Sequence, residues 1–296
     1  MRSLVESLNS FCDGLPYDVR WHLRSVRTGE TANRMGDIPI ASASIRKIAI
    51  MMAMFRAINR GRFSLEEAVP IKPEFQRGNF VGSIFQHFTP GTTVALKDHI
   101  TLMIIVSDNV CTGTIVDMLG IDEVNDFCQA IGMTQTVHRF GFVPEEIYGG
   151  DRNTLPKTTN ATTANDQGRL LDLMLKGSQD VSAASRLGCT PALCKLGIDI
   201  LGRQKYNSGI PSLLPEDTRV AHKTGMIVTD FTDRGYPIST GYHDAGIVFQ
   251  GEAPLFILTV FTQGVPRELP DGTPNFNHAS RAIGRIGRAC WDTLKD

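Results

Sequence analysis

Ser44 and Lys47 stand three positions apart at the head of an apolar stretch that runs from Ile48 to Phe55. A serine hydroxyl is a weak nucleophile until a neighbouring base takes its proton. Residues i and i+3 share one helix face, so Lys47 can reach Ser44. A lysine becomes such a base when its surroundings disfavour the ammonium form. Ile48, Ile50, Met51, Met52, Met54 and Phe55 supply the desolvation. A helix beginning at Ser44 also offers its N-terminal dipole to developing negative charge.

Two further short motifs follow. In Ser107-Asp108-Asn109, a second serine can relay a proton to a leaving group, and the asparagine amide can hold a substrate carbonyl or orient Lys47. In Lys223-Thr224-Gly225, the lysine and threonine can bind a substrate carboxylate at a strand edge. Gly225 permits close backbone approach of substrate. The next amide, Met226 N–H, can pair with that of Ser44 as an oxyanion hole. Singly these motifs also occur as an N-cap, a polar helix-to-helix turn and a strand-ending turn. Together, in this order, they point to acyl transfer through a serine.

The elements that must position them follow from periodicity. Residues 2 to 12 read as an amphipathic helix, and 17 to 26 alternate as a strand. Thr28-Gly29-Glu30 is a turn before a second short strand. Ser44 is expected to open a helix running to about Asn59. From 63 to 212 the pattern is mostly helical, with helices near 96–106, 123–131 and 165–175. Residues 139 to 161 read as a long irregular loop, and such loops in compact domains are usually functional. Short apolar runs at 219–222, 243–249 and 256–261 read as strands, and 278–294 as a closing helix. The expected fold class is α+β. An antiparallel sheet from both chain ends (about 1–42 and 213–296) is flanked by helices, with an all-helical part (about 43–212) inserted between.

A net charge of -1 with no basic run argues against a nucleic-acid partner. No segment reaches the length of a membrane span. The N-terminal residues lack the apolar core of a signal peptide, so a cytoplasmic location is expected, with export as the alternative. The six cysteines show neither C-x-x-C nor zinc spacing and are expected to be buried free thiols. No ligand cluster implies a metal or organic cofactor. His243-Asp244 does not read as a catalytic pair, because adjacent strand residues point to opposite faces; His243 is expected to be structural.

The three motifs resemble those of the class A serine β-lactamase and penicillin-binding protein superfamily. The resemblance covers roughly residues 15 to 292. It includes Thr89-Pro90-Gly91-Thr92, Leu102 to Asn109, Asn160-Ala161-Thr162-Thr163 and His243 to Val248. It implies Ser44 as acylated nucleophile, Lys47 as base, Ser107 as proton shuttle and Asn109 as amide binder, with Lys223 and Thr224 at the substrate carboxylate. It also implies a small-molecule amide, lactam or ester as substrate.

Two departures stand out. Class A relatives carry a deacylating glutamate in the long loop, with an asparagine four residues on. Here the loop offers Glu145 and Glu146, and Gly149 and Gly150 take the asparagine's place. The stretch from Met226 to Tyr242 is also long, and is expected to form an extended hairpin or lid. The expected activity is hydrolysis of a cyclic amide through an acyl-enzyme. The alternatives are a cytoplasmic amidase or esterase on a non-lactam substrate, and a lactam-binding sensor or transpeptidase-like protein that acylates without efficient deacylation.

Overall fold

The computed structural model describes residues 1–76, 83–141, 159–229 and 239–295. Helix α1 (Arg2–Asp13) buries Leu4, Leu8 and Cys12 on one face. It leads into a hairpin of β1 (Asp18–Ser25) and β2 (Thr31–Arg34), whose turn uses Gly29 at φ +74°. At the other end of the chain lie β7 (Val220–Thr229), β8 (Ser239–Gln250) and β9 (Ala253–Gln263). They assemble one antiparallel sheet in the order β2-β1-β9-β8-β7. Strand β1 pairs along its full length with β9, Asp18 opposite Gln263 and Ser25 opposite Phe256. The two ends of the chain are therefore joined in the middle of the sheet. The last helix, Asn275–Leu294, buries Ala279, Ile283, Ile286, Cys290 and Trp291. Together with α1 it covers one sheet face, over a core that contains Trp21, Leu23, Phe256 and Leu258.

The other face meets the helical block. Its centre is α2 (Lys47–Asn59), buried from Lys47 through Ala57. Such burial on all sides marks the central helix of a large core. Around it pack α3 (Leu96–Ile105), α4 (Asn109–Leu119), α5 (Ile121–Ala130), α6 (Ala164–Gly177), α7 (Val181–Arg186) and α8 (Pro191–Leu201). Ala221, Ala245, Ile247, Ile257 and Phe261 of the sheet share this core. The helical block thus closes directly on the sheet.

Three details differ from the sequence reading. Ser44 does not begin the α-helix. It sits in a tight 3-10 turn, Ala43–Arg46, and the α-helix starts at Lys47. The cause is local: Ala43 takes φ +45°, and Ile45 N–H closes a three-residue bond of 3.1 Å onto Ser42 O. The 43–212 block is also not purely helical. It holds the short pair β4 (Ala68–Pro70) with β5 (Thr93–Ala95), and β6 (Ala161–Thr162), which pairs with β3 (Ile40–Ala41) just before the block. Finally, the three late strands are longer than their apolar runs. Pairing of β7 with β8 continues to Thr229 opposite Ser239, so much of the stretch from Met226 to Tyr242 is ladder. Residues 230–238 lie outside the described residues.

Candidate active site

The first motif is held between two strained corners. Ala43 at φ +45° leads the chain into the turn that carries Ser44, and Ser107 at φ +59° turns α3 into α4. Non-glycine residues rarely adopt this region, and such strain gathers at functional sites. The turn Ala43–Arg46 lies beside the free edge of β7, the outermost strand. Gly225 makes this approach possible. A Cβ there would stand 3.1 Å from Ser44 N, from Ala43 Cβ and from Ile45 Cγ1. The amides of Ser44 and Met226 therefore come from two backbones packed against each other.

Lys47 is the hub. Its Nζ donates to Ser107 O at 2.7 Å, Ser107 Oγ at 3.0 Å and Asn109 Oδ1 at 2.8 Å. Only 1 % of the residue is exposed. Burial, reinforced by the charges of Lys223 and Arg46, pushes its amine well below the ordinary lysine range; the Asp108 carboxylate opposes this. Ser107 O and Asn109 Oδ1 can only accept. A neutral Lys47 amine can donate to both and keep its lone pair for a hydroxyl proton.

Asp108 builds the second motif. It is fully buried and caps α4 by accepting Cys111 N–H at 2.9 Å. Its other oxygen accepts Ile84 N–H at 2.6 Å and Phe85 N–H at 3.0 Å. Asn109 N–H in turn donates to Ser83 Oγ at 2.9 Å. Asp108→Ala leaves three backbone donors without an acceptor, and is expected to cost about 3 kcal/mol in a urea titration. Asp108→Asn, which retains an acceptor oxygen, should cost roughly 1 kcal/mol. Equal losses for the two would refute the capping role.

Lys223 is fully buried in β7, and its Nζ donates to Thr224 O at 2.7 Å. Burial pushes it down to about 7, against the pull of Asp244. Thr224 follows, opposite Asp244. These pKa shifts carry a sign. In the unfolded chain Lys223 holds its proton up to about 10.5; in the folded chain it releases it near 7. Between those values the unfolded state binds more protons, so this group makes folding more favourable as pH rises. Lys47 acts in the same direction. The stability of the parent chain relative to its Lys223→Met variant should therefore rise between about pH 7 and pH 9 in paired thermal melts. A flat difference would mean that Lys223 titrates normally.

The histidines fall outside the catalytic cluster. His243 Nε2–H donates to Ala41 O at 3.2 Å, and Nδ1 accepts Thr262 N–H at 3.3 Å. Burial pushes this ring down to about 4, so it is a neutral strut under the strand that leads to Ser44. Asp244 points the other way, as strand alternation requires. It accepts His222 Nδ1–H at 2.8 Å and Ile210 N–H at 2.8 Å. This buried His222–Asp244 pair has no separate motif in the sequence; only the β7–β8 register brings it together. His138 is buried beside Arg46 and is pushed down to about 3, chiefly by burial. Arg46 donates to Phe140 O at 2.9 Å and also to Gly141 O, tying the turn that carries Ser44 to Phe140 and Gly141. Glu145 and Glu146 lie outside the described residues. All six cysteines are buried and unpaired. Among the described residues no group of three His, Cys, Asp or Glu side chains is placed to hold a metal ion.

A helical block closed on an antiparallel sheet, with Ser44, Lys47, Ser107 and the β7 edge meeting at the seam, defines the β-lactamase-like fold. The family model described as the Beta-lactamase enzyme family matches residues 3–294, and the chain belongs to that family. Beta-lactamase VEB-1 of Pseudomonas aeruginosa is 24% identical over 238 residues, 78% of this chain and 73% of that protein. A solved structure of PBP-A, 23% identical, superposes with a TM-score of 0.79 over 100% of this chain and 97% of that one. The extended-spectrum β-lactamase TLA-1, 18% identical, superposes with a TM-score of 0.82 over 100% and 99%. A PBP-A mutant has also been solved as an acyl-enzyme complex with penicillin G; it is 24% identical, with a TM-score of 0.78 over 100% and 97%.

Proposed function

We propose that the protein is a serine hydrolase that forms an acyl-enzyme on Ser44 and hydrolyses a cyclic amide of the β-lactam type. The observation that carries this reading is the buried Lys47 amine, held by Ser107 and Asn109 one turn from Ser44. Lys47 takes the Ser44 proton as Oγ attacks the carbonyl carbon. The amides of Ser44 and Met226 receive the oxyanion. Ser107 passes the proton to the leaving nitrogen, and the carbon–nitrogen bond breaks. Lys223, close behind the site, adds positive charge where a substrate carboxylate lies, with Thr224 as its contact. Either Glu145 or Glu146 then activates the water that frees the acyl group.

A second reading has its own support. Neither glutamate is followed by an asparagine four residues on, and one PBP-A relative is known as a penicillin acyl-enzyme. On that reading the chain acylates and holds its adduct, as a sensor or transpeptidase-like protein does. Incubation with penicillin G, followed by intact mass and by lactam absorbance, separates the two. Turnover with no lasting adduct supports the hydrolase; a persistent adduct supports the second reading. Ser44-dependent cleavage of simple esters without either would point to a non-lactam amidase or esterase. If the Ser44→Ala chain retains the full rate, acylation at Ser44 is excluded.

A further inference from the structure

Beside Ser107-Asp108-Asn109 lies a concavity of about 410 Å³ that the acylation steps leave unused. Ile84, His87, Phe88, Val106 and Tyr206 line it, together with Ser83 and Gln86. Its size suits a small organic group. Among the described residues no Asp, Glu, Lys or Arg lines it, so none of them offers a counter-charge to a charged substituent there. Ile84, Phe88 and Tyr206 are 41, 40 and 43 % exposed. Single exposed apolar side chains are ordinary, but several around one hollow mark a contact surface.

These side chains are held open by design of the backbone beneath them. Asp108 pins the amides of Ile84 and Phe85. Gln76 Nε2 donates to Phe85 O and Phe88 O, both at 2.8 Å. Phe85 is buried, edge-on to His99 at 5.1 Å, and Phe88 packs on Phe85 at 4.9 Å. The turn therefore cannot fold its apolar residues inward without breaking these contacts. Across the hollow, Tyr206 OH donates to Val106 O at 3.2 Å. Val106 directly precedes Ser107, and Ser83 holds the amide of Asn109. Two residues that line the hollow thus adjoin the second motif, Val106 along the chain and Ser83 by its hydrogen bond.

We propose that this hollow is a leaving-group subsite that takes a neutral aromatic or alkyl substituent of the substrate. The proposal rests on the acyl-transfer reading of Ser44. For an aryl ester the step is complete within the site. Ser44 Oγ bonds to the acyl carbon, and the bond from that carbon to the aryl oxygen breaks. The serine proton passes through Lys47 and Ser107 to the departing oxygen, which leaves as the phenol.

Two measurements on the full chain test it. The first compares phenyl and 2-naphthyl acetate, whose leaving groups have similar acidity. The naphthyl ester should have the higher kcat/KM, by roughly tenfold. That ratio should fall to about one in an Ile84→Ser, Phe88→Ser double variant, whose altered side chains are already exposed; circular dichroism checks its fold. The second measurement needs no turnover: 2-naphthol titrated into the Ser44→Ala chain, followed by naphthol fluorescence. Saturable binding that the double variant loses supports the subsite. No binding together with a ratio near one in the parent chain overturns the subsite, even if Ser44 acylation is intact. Binding without any Ser44-dependent cleavage or adduct overturns the acyl-transfer reading and the leaving-group assignment with it.

Discussion

A Ser44→Ala chain is expected to take up no acyl group from penicillin G or an activated ester, and to lose at least about ten-thousandfold in any turnover. Removing one oxygen deletes the group proposed to carry the covalent bond, while the packing around it should barely change. Ser44 lies in a tight turn rather than in a helix body, and alanine fits that turn. The thermal midpoint should therefore stay close to the parent value, which separates loss of chemistry from loss of fold. Intact mass before and after substrate is the decisive readout. An adduct of unchanged stoichiometry on the variant would falsify the assignment of the nucleophile.

Lys47→Met should separate activity from stability in the opposite sense. The substitution keeps a long flexible side chain but removes a buried amine that burial, Lys223 and Arg46 all disfavour when charged. Loss of a positioned general base typically costs about a hundred- to ten-thousandfold. Stability should hold or rise, because a buried group that costs desolvation has gone. The remaining gap is partial, since Ser107 and Asn109 lose a shared donor. In the parent chain the acylation rate should increase as pH rises through the Lys47 titration, because only the free amine accepts a proton; the variant should lack that limb. A variant that is less stable yet fully active would make Lys47 a structural residue.

Much of this arrangement is legible in the chain itself, for physical reasons. Long elements with a clear period, such as α1, α2 and α6, announce themselves because one face or the whole surface is apolar. The order of strands, helical block and strands is enough to place a sheet made from both ends. What escapes is short or non-local. The two-residue ladder of Ile40–Ala41 with Ala161–Thr162 has no period to read. The 3-10 turn at Ser44 depends on the left-handed backbone of Ala43, an alanine that carries no turn signal. The His222–Asp244 pair exists only in one strand register. The helices Val181–Arg186 and Pro191–Leu201 were hidden within a block read only as mostly helical. In the site, residue types and order nominate Ser44, Lys47, Ser107 and Lys223 as candidates. The hub-like role of the Lys47 amine comes from three long-range bonds that no local pattern encodes.

The pairing of β7 with β8 has a consequence for the time at which the surroundings of Ser44 are assembled. Ser44 and Lys47 are synthesised well before β7, the strand that flanks them, and β8, the neighbour that braces it. Contacts of such sequence separation close late and slowly. A nascent chain that ends before β8 carries its nucleophile and base with no β7–β8 ladder beside them. A fragment that ends before β8 is therefore expected to take up no acyl group from penicillin G, as read by intact mass.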